Sequence, residues 1–273
     1  MIGFILAAIG VLSGFGKISV RQFELAAASD IRGKLTGEHV QVNVQTKLNG
    51  LIGGPLGDIK QATIFASNFQ TPGLPLFTEP WRSKKGIVRE LRIDLSNFML
   101  GKLRVESLKA SIPDCRFDYG LATRKKVIRL SKSGVGTGTV RLKAEDLEAF
   151  ILKKFAEIKR VTVRIEKDKV FVDGFGEFVI VQTNFSVIAT LGSPDGKTLE
   201  LQNARIFFDD KPAEDAAKKV LLDTLNPVVD LNRDLKLYDA IQVKGIRLLD
   251  GYLEAWGDTR IPDSPDPPTP SRS

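Results

Sequence analysis

The sequence predicts an α+β fold, an antiparallel sheet built of meanders with apolar amphipathic helices that pack on it. Three observations lead there. About a dozen segments alternate apolar and polar residues at strand length, and they follow one another as meanders rather than as strand–helix–strand units. Residues 136–174 read as a strand, a helix and a two-stranded hairpin in succession. In that helix Leu147, Phe150, Ile151, Phe155 and Ile158 recur at offsets 0, 3, 4, 8 and 11, a single apolar stripe that needs a sheet against it.

The elements follow in order. Met1 to Gly16 carries no charged side chain. A membrane span takes about 20 apolar residues, so this run suits the apolar region of a signal peptide or a short anchor, though no basic residues precede it. Residues 1–19 are accordingly expected to serve export or anchoring. From Val20 to Leu35, Phe23, Ala26, Ala27 and Ile31 fall at helical spacing. Val40, Val42, Val44, Thr46 and Leu48 then share one side of a half-buried strand. Further strands are expected at IKQATIFASNF, at VRELRIDLS after a basic linker (Trp81, Arg82, Lys84, Lys85), and at KLRVESLKASI. In the last of these the apolar phase slips between Val105 and Leu108, which predicts a bulge. Short strands are expected at CRFDYG and KVIRLS.

Glu145 and Asp146 open the central helix and Lys153 and Lys154 close it, each complementing the helix dipole. Val161, Val163 and Ile165, then Val170 and Val172, mark the hairpin. EFVIVQTNFSVIATL reads as one long strand and TLELQNARIFF as its partner after a Ser-Pro-Asp-Gly turn. A third helix spans about Pro212 to Leu225, ended by Asn226-Pro227, and IQVKGIRLL and GYLEAWG close the fold. The domain is expected over residues 20–257, with 258–273 a proline-rich disordered tail.

Composition narrows the function classes. The 273 residues carry a formal net charge of +7, which favours anionic partners. One cysteine, Cys115, excludes an internal disulfide, and one histidine, His39, removes most acid–base and metal chemistry. Gly134, Gly136 and Gly138 lack the helix start that a dinucleotide loop needs. Asp209, Asp210, Glu214 and Asp215 are explained by helix capping rather than by a metal. No nucleophile–base pair emerges, so neither an enzyme nor a cofactor is expected. The basic runs Arg124-Lys125-Lys126 and Lys153, Lys154, Lys159, Arg160 suit an anionic membrane surface, each cation contributing on the order of 1 kcal/mol there. They lack the interleaved aromatics of a nucleic-acid platform. Sixteen phenylalanines against three tyrosines fit either a dense core or a sheet curled around a helix with room for an acyl chain.

Several segments together resemble one family. They are GKLTGEHVQVNVQTKLNGLIGG, LRIDLSNFMLGKLRVESLKASIPDCRFDYG, SKSGVGTGTVRL, AEDLEAFI with VTVRIEKDKVFVDG, and LNPVVDLNRDLKLYDAIQVKGIRLLDGYLEAWG. This ordered series resembles the LmeA-like phospholipid-binding domain over roughly Val20 to Gly257. Lys143 stands before the AEDL helix where a Ser or Thr cap is usual. The resemblance implies a bacterial envelope protein that binds phospholipid, with a tubular lipid-binding-like α+β fold: a strongly curved antiparallel sheet wrapped around a long amphipathic helix, with a second helix packing on the sheet. On that reading, Leu147, Phe150, Ile151, Phe155, Val163, Phe171, Phe185 and Leu221 are the expected acyl tunnel between helix and sheet. Lys153, Lys154, Lys159 and Arg160, with Arg124, Lys125 and Lys126, are the expected headgroup or membrane contacts. The rival reading is a structural envelope module with a dry core that binds partner proteins. The sequence does not indicate an oligomeric state.

Overall fold

The structure is a computed structural model that describes residues 20–50, 57–74, 78–125, 127–178 and 181–262. Residues 1–19, Lys126 and most of the proline-rich tail lie outside the described residues, and so do the expectations that fall on them. The fold is α+β and mostly strands, with four helices traced among the described residues, and its larger sheet curls into a strongly curved half-barrel.

Helix α1 (residues 20–32) leads into β1 (Gln41–Leu48) and β2 (Asp58–Ser67). A two-residue strand β3 (Gln70–Thr71) precedes the long hairpin β4 (Gly86–Leu100) and β5 (Leu103–Phe117). The expected strand CRFDYG is in its first half the end of β5, while its last two residues open the short helix α2 (Tyr119–Lys125). Asp118 explains the difference: its side-chain oxygen accepts from Leu121 N at 2.9 Å, and its backbone carbonyl accepts from Ala122 N at 3.0 Å, turning the chain into a helix. After β6 (Leu130–Lys132) and β7 (Gly136–Lys143) comes helix α3 (Ala144–Lys154).

Helix α3 is eleven residues long, shorter than the apolar stripe suggests. Phe155 is its C-cap in extended conformation, and Ile158 already opens β8 (Ile158–Glu166). Both remain buried, so the stripe continues across the helix end because the following strand turns into the same core. The segment expected as one long strand is a hairpin instead. β9 (Lys169–Phe178) and β10 (Val181–Gly192) pair down to Phe178↔Val181, and β10 pairs with β11 (Thr198–Phe208). The two-residue strand β12 (Lys211–Pro212), helix α4 (Asp215–Leu225) and the two-residue strand β13 (Val229–Asp230) precede the closing hairpin β14 (Ile241–Leu249) and β15 (Tyr252–Thr259).

The nine-stranded sheet runs β1-β2-β4-β5-β7-β15-β14, with β3 also paired to β4 and β6 to β5. Its pairings are antiparallel except for β2 and β3, which run parallel to β4. The six-stranded sheet runs β12-β11-β10-β9-β8, with β13 on β11. No bulge follows the phase slip in β5: β4 and β5 hold one register from Gly86↔Phe117 to Leu100↔Leu103. Both strands change phase at the same place, where Asn97 takes a left-handed φ of 48°. The main core lies between the two sheets around α3 and α4, and a second cluster (Ile59, Val88, Leu91, Ile112, Cys115, Phe117) lies under α1. The ordered body also reaches past Gly257: Asp258 and Thr259 belong to β15, and Ile261 is buried.

Candidate functional site

Helix α1 covers the apolar face of the half-barrel, and the cover is incomplete. A cavity of about 140 Å³ lies under its C-terminal end, walled by Ile31 from the last turn of the helix, Leu35 from the chain just after it, Ile64 and Ala66 from β2, and Leu95 and Leu108 from β4 and β5. Leu74, Leu237 and Ile241 close one side. A smaller apolar space of about 60 Å³ adjoins it under Phe23 and Ala27, and Ile31, Ile64, Leu91 and Leu130 line both. A dry cavity of about 150 Å³ with aliphatic walls is known to accept an apolar guest the size of benzene. Two polar residues, Thr259 and Arg260, interrupt the wall; Thr259 is 6% exposed and its hydroxyl has no partner among the described residues.

Polar contacts, rather than dense packing, hold α1 over this space. Glu24 Oε1 accepts from Thr46 N at 2.6 Å and from Thr46 Oγ1 at 2.8 Å. Asp30 pairs with Arg129 at 2.7 Å, and Arg129 also meets Glu79 at 3.0 Å. Arg32 donates to the Val40 carbonyl. The contacts are charge-assisted and lie toward the edge of the sheet, while the apolar underside of the helix faces the cavity.

A second space, an open cleft of about 700 Å³ that shares no lining residue with the cavity, has a different character. The cavity residues Leu35, Phe69 and Leu237 are each one position along the chain from a cleft residue: Thr36, Gln70 and Lys236. The cleft contains four cations, Lys102, Lys154, Arg233 and Lys236, against one carboxylate, Asp234. An apolar wall and a basic wall therefore lie on the same three short stretches of chain.

The structure places the expected site residues in a different arrangement. Leu147, Ile151, Phe155 and Val163 surround a gap of only about 20 Å³, the space of a single water, so the interface of α3 with its sheet is a packed core. Phe185 and Leu221 are buried in the same core. Phe150, also buried, reaches the basic cleft. Phe171 is half-buried, beneath the Arg164 guanidinium at 5.2 Å, because β9 alternates and its core face belongs to Val170 and Val172. The larger of these two apolar spaces thus lies under the end of α1, a region the apolar stripes did not single out.

Of the expected cations, only Lys154 lines the cleft, and its ammonium is committed. It donates to the carbonyls of Pro227 and Val228 at 2.7 and 3.0 Å and to Asp234 Oδ2 at 2.6 Å, with its side chain 14% exposed. Burial raises the Asp234 pKa, but hydrogen bonds from Lys154 and from Asp230 N, with the Lys154 charge, outweigh it and hold the carboxyl below its ordinary value. Lys159 pairs with Glu177 at 3.3 Å, Arg160 lies over the Phe175 ring at 5.6 Å, and Lys153 is exposed. Arg124 and Lys125 end α2, outside the cleft. The useful cations Lys102, Arg233 and Lys236 stand singly in the sequence, so a search for basic runs passes over them. Their signal is the turn chemistry around them, Leu100-Gly101-Lys102 and Leu231-Asn232-Arg233-Asp234.

Other features carry no chemistry of their own. Burial pushes the Cys115 thiol up to about 12, with Asp114 adding to the shift, so it is no nucleophile at neutral pH. Among the described residues no three His, Cys, Asp or Glu side chains gather to hold a metal, and no helix is long and apolar enough to cross a membrane. A trough of about 860 Å³ crosses the opposite face of the large sheet, where Lys109 pairs with Asp94, Lys244 with Asp258, and Arg92 with the neighbouring Glu90.

A model of the family described as LmeA-like phospholipid-binding matches residues 85–255, well over half of the chain. That segment includes all four cations of the cleft and the β4–β5 wall of the cavity, while α1, β1 and β2 precede it. No curated protein and no solved structure matches. On the strength of that match, the chain belongs to the LmeA-like phospholipid-binding family.

Proposed function

We propose that this protein binds phospholipid by taking acyl chain into the apolar cavity beneath α1, and that it acts without catalysing a reaction, as a lipid-holding protein of the bacterial cell envelope. The observation that carries the reading is the cavity itself, lined almost wholly by apolar residues, with a basic cleft on neighbouring residues of the same turns. Its volume of about 140 Å³ is below the roughly 300–1,000 Å³ of most ligand pockets, so a full chain enters only as α1 lifts. The edge contacts of α1 suit that movement, since separating them exposes polar groups to water while the cavity wall gains lipid in place of helix. The net charge of +7 supports docking on an anionic membrane surface, with residues 1–19 as the export or anchoring segment. Transfer of lipid between membranes or envelope maintenance is the role this design serves.

The test is uptake from vesicles. Purified protein lacking residues 1–19 is mixed with phospholipid vesicles, separated from them, and its bound lipid counted by native mass spectrometry. Saturable uptake at a fixed ratio of lipid to protein supports the reading. Protein that stays lipid-free against a large vesicle excess favours the rival reading, a dry structural module.

A further inference from the structure

The geometry points to the cleft of Lys102, Arg233 and Lys236 as a phosphate-ester headgroup site that makes the protein selective for anionic phospholipids; the inference rests on the acyl-cavity reading above. Four cations face one carboxylate in this cleft, and that carboxylate, Asp234, is already engaged by Lys154 at 2.6 Å. Lys102 and Lys236 form no ion pair among the described residues. Lys102 makes only a long hydrogen bond, 3.3 Å, to the Lys153 carbonyl. Arg233 is 63% exposed and leans on Asp230 and Asp234 at 3.9 and 3.4 Å, contacts that leave guanidinium donors open to the cleft. The cleft therefore holds positive charge that the chain itself does not neutralise.

The scaffold beneath these cations is rigid, as a recognition site requires. Asp230 Oδ1 accepts from the backbone amides of Asn232 and Arg233 at 3.0 and 2.8 Å. Asp230 N in turn donates to Asp234 Oδ2 at 2.9 Å. Two glycines let the neighbouring turns close on this loop. A Cβ on Gly101 would stand 2.9 Å from the Asp234 carbonyl, and one on Gly73 would stand 2.8 Å from Lys236 Cβ. Lys236 itself takes a φ of 53°, a left-handed conformation that costs a long side chain and suits glycine. The chain thus keeps a lysine where its backbone favours glycine, at the position next to the cavity residue Leu237.

A phosphodiester seated here would accept from Lys102, Arg233 and Lys236, with its acyl chains directed past Leu35, Phe69 and Leu237 into the cavity. A zwitterionic headgroup would bring a cation of its own into a basic cleft and gain less. The selectivity expected is for headgroups that keep a net negative charge.

The experiment compares three lipids with the same acyl chains, phosphatidylglycerol, phosphatidylcholine and diacylglycerol, and the soluble headgroup glycerophosphoglycerol. Wild type is set against the triple variant Lys102→Gln, Arg233→Gln, Lys236→Gly. The glycine substitution removes a cation while relieving the backbone, and Lys236→Gly alone provides a variant at least as stable as wild type. The triple variant is expected to lose about tenfold or more in affinity for phosphatidylglycerol, with diacylglycerol binding unchanged, and the loss shrinks as salt rises. Lys236→Gly alone should lose part of the same preference. Unchanged phosphatidylglycerol affinity in both variants, or an equal loss for phosphatidylglycerol and diacylglycerol, overturns the assignment. Glycerophosphoglycerol bound as tightly as the intact lipid overturns it too, by showing a site for free phosphate esters. A wild type that binds diacylglycerol without preferring phosphatidylglycerol sinks the headgroup site alone, whereas one that binds none of the acyl lipids sinks the cavity reading with it.

Discussion

Replacing Ala66 by leucine tests where the space for lipid lies. Ala66 is buried on β2 and its methyl group faces the cavity under α1. An empty cavity of about 140 Å³ costs on the order of 3 kcal/mol at about 24 cal/mol per Å³. The three added carbons recover about 0.8 kcal/mol each when buried, and some of that is lost in side-chain entropy. The lipid-free variant is therefore expected to gain about 1–2 kcal/mol, read from the urea midpoint after delipidation. Its lipid uptake should fall, because leucine occupies the space that acyl chain would take. The matching substitution Ile151→Trp enters the 20 Å³ gap between α3 and its sheet, where an indole forces neighbours off their rotamers. It should cost about 1–3 kcal/mol, with lipid per folded protein unchanged. If Ala66→Leu destabilises the protein and lipid uptake stays intact, or if Ile151→Trp is stable and abolishes uptake, the cavity has been assigned to the wrong side of the core.

Other expectations follow from particular contacts. Glu24→Ala removes both hydrogen bonds to Thr46 and should cost about 1.5–3 kcal/mol by denaturant unfolding while speeding exchange of bound lipid with vesicles. Thr259→Val removes a buried hydroxyl without a partner and should leave the lipid-free protein as stable or more so, by up to about 1 kcal/mol in the urea midpoint; a loss larger than that would mean the hydroxyl is satisfied in solution. Asp234 has a depressed folded-state pKa, so its contribution is fully present above the ordinary carboxylate range and is lost as pH falls through the folded value. The stability gap between wild type and Asp234→Asn should accordingly narrow on acidification, and a gap that stays constant down to pH 3 would contradict the Lys154 pairing. Cys115 should resist alkylation in the native state at pH 8 and react once urea unfolds the chain.

Much of the fold was legible because its signals are local. The alternation in VTVRIE and KVFVDG marks β8 and β9, with Val161, Val163, Val170 and Val172 buried as their spacing requires. The end of α3 was not legible, because Phe155 and Ile158 keep helical spacing while the backbone leaves the helix at Lys154. The hairpin between Phe178 and Val181 was hidden by a run of residues apolar at successive positions, which erases the alternation that marks a strand end. The site was less legible than the fold. Its cavity draws Leu35, Ala66, Leu108 and Leu237 from four distant segments, each unremarkable within its own strand or turn. Apolar stripes find where packing is dense, and a binding cavity is where packing is left unfinished. The basic cleft escaped for a related reason: its cations meet only after Gly73 and Gly101 let three turns close on one another.

The most direct measurement is to map where a bound acyl chain lies. A phospholipid carrying a photoactivatable group near the end of one chain is loaded from vesicles, irradiated, and the cross-linked residues are identified by peptide mass spectrometry. The account predicts adducts on the residues beneath α1, namely Ile31, Leu35, Ile64, Leu74, Leu237 and Ile241. Adducts concentrated instead on Leu147, Ile151, Phe155 and Val163 would show that the core between α3 and its sheet opens to lipid and that the cavity under α1 does not hold it.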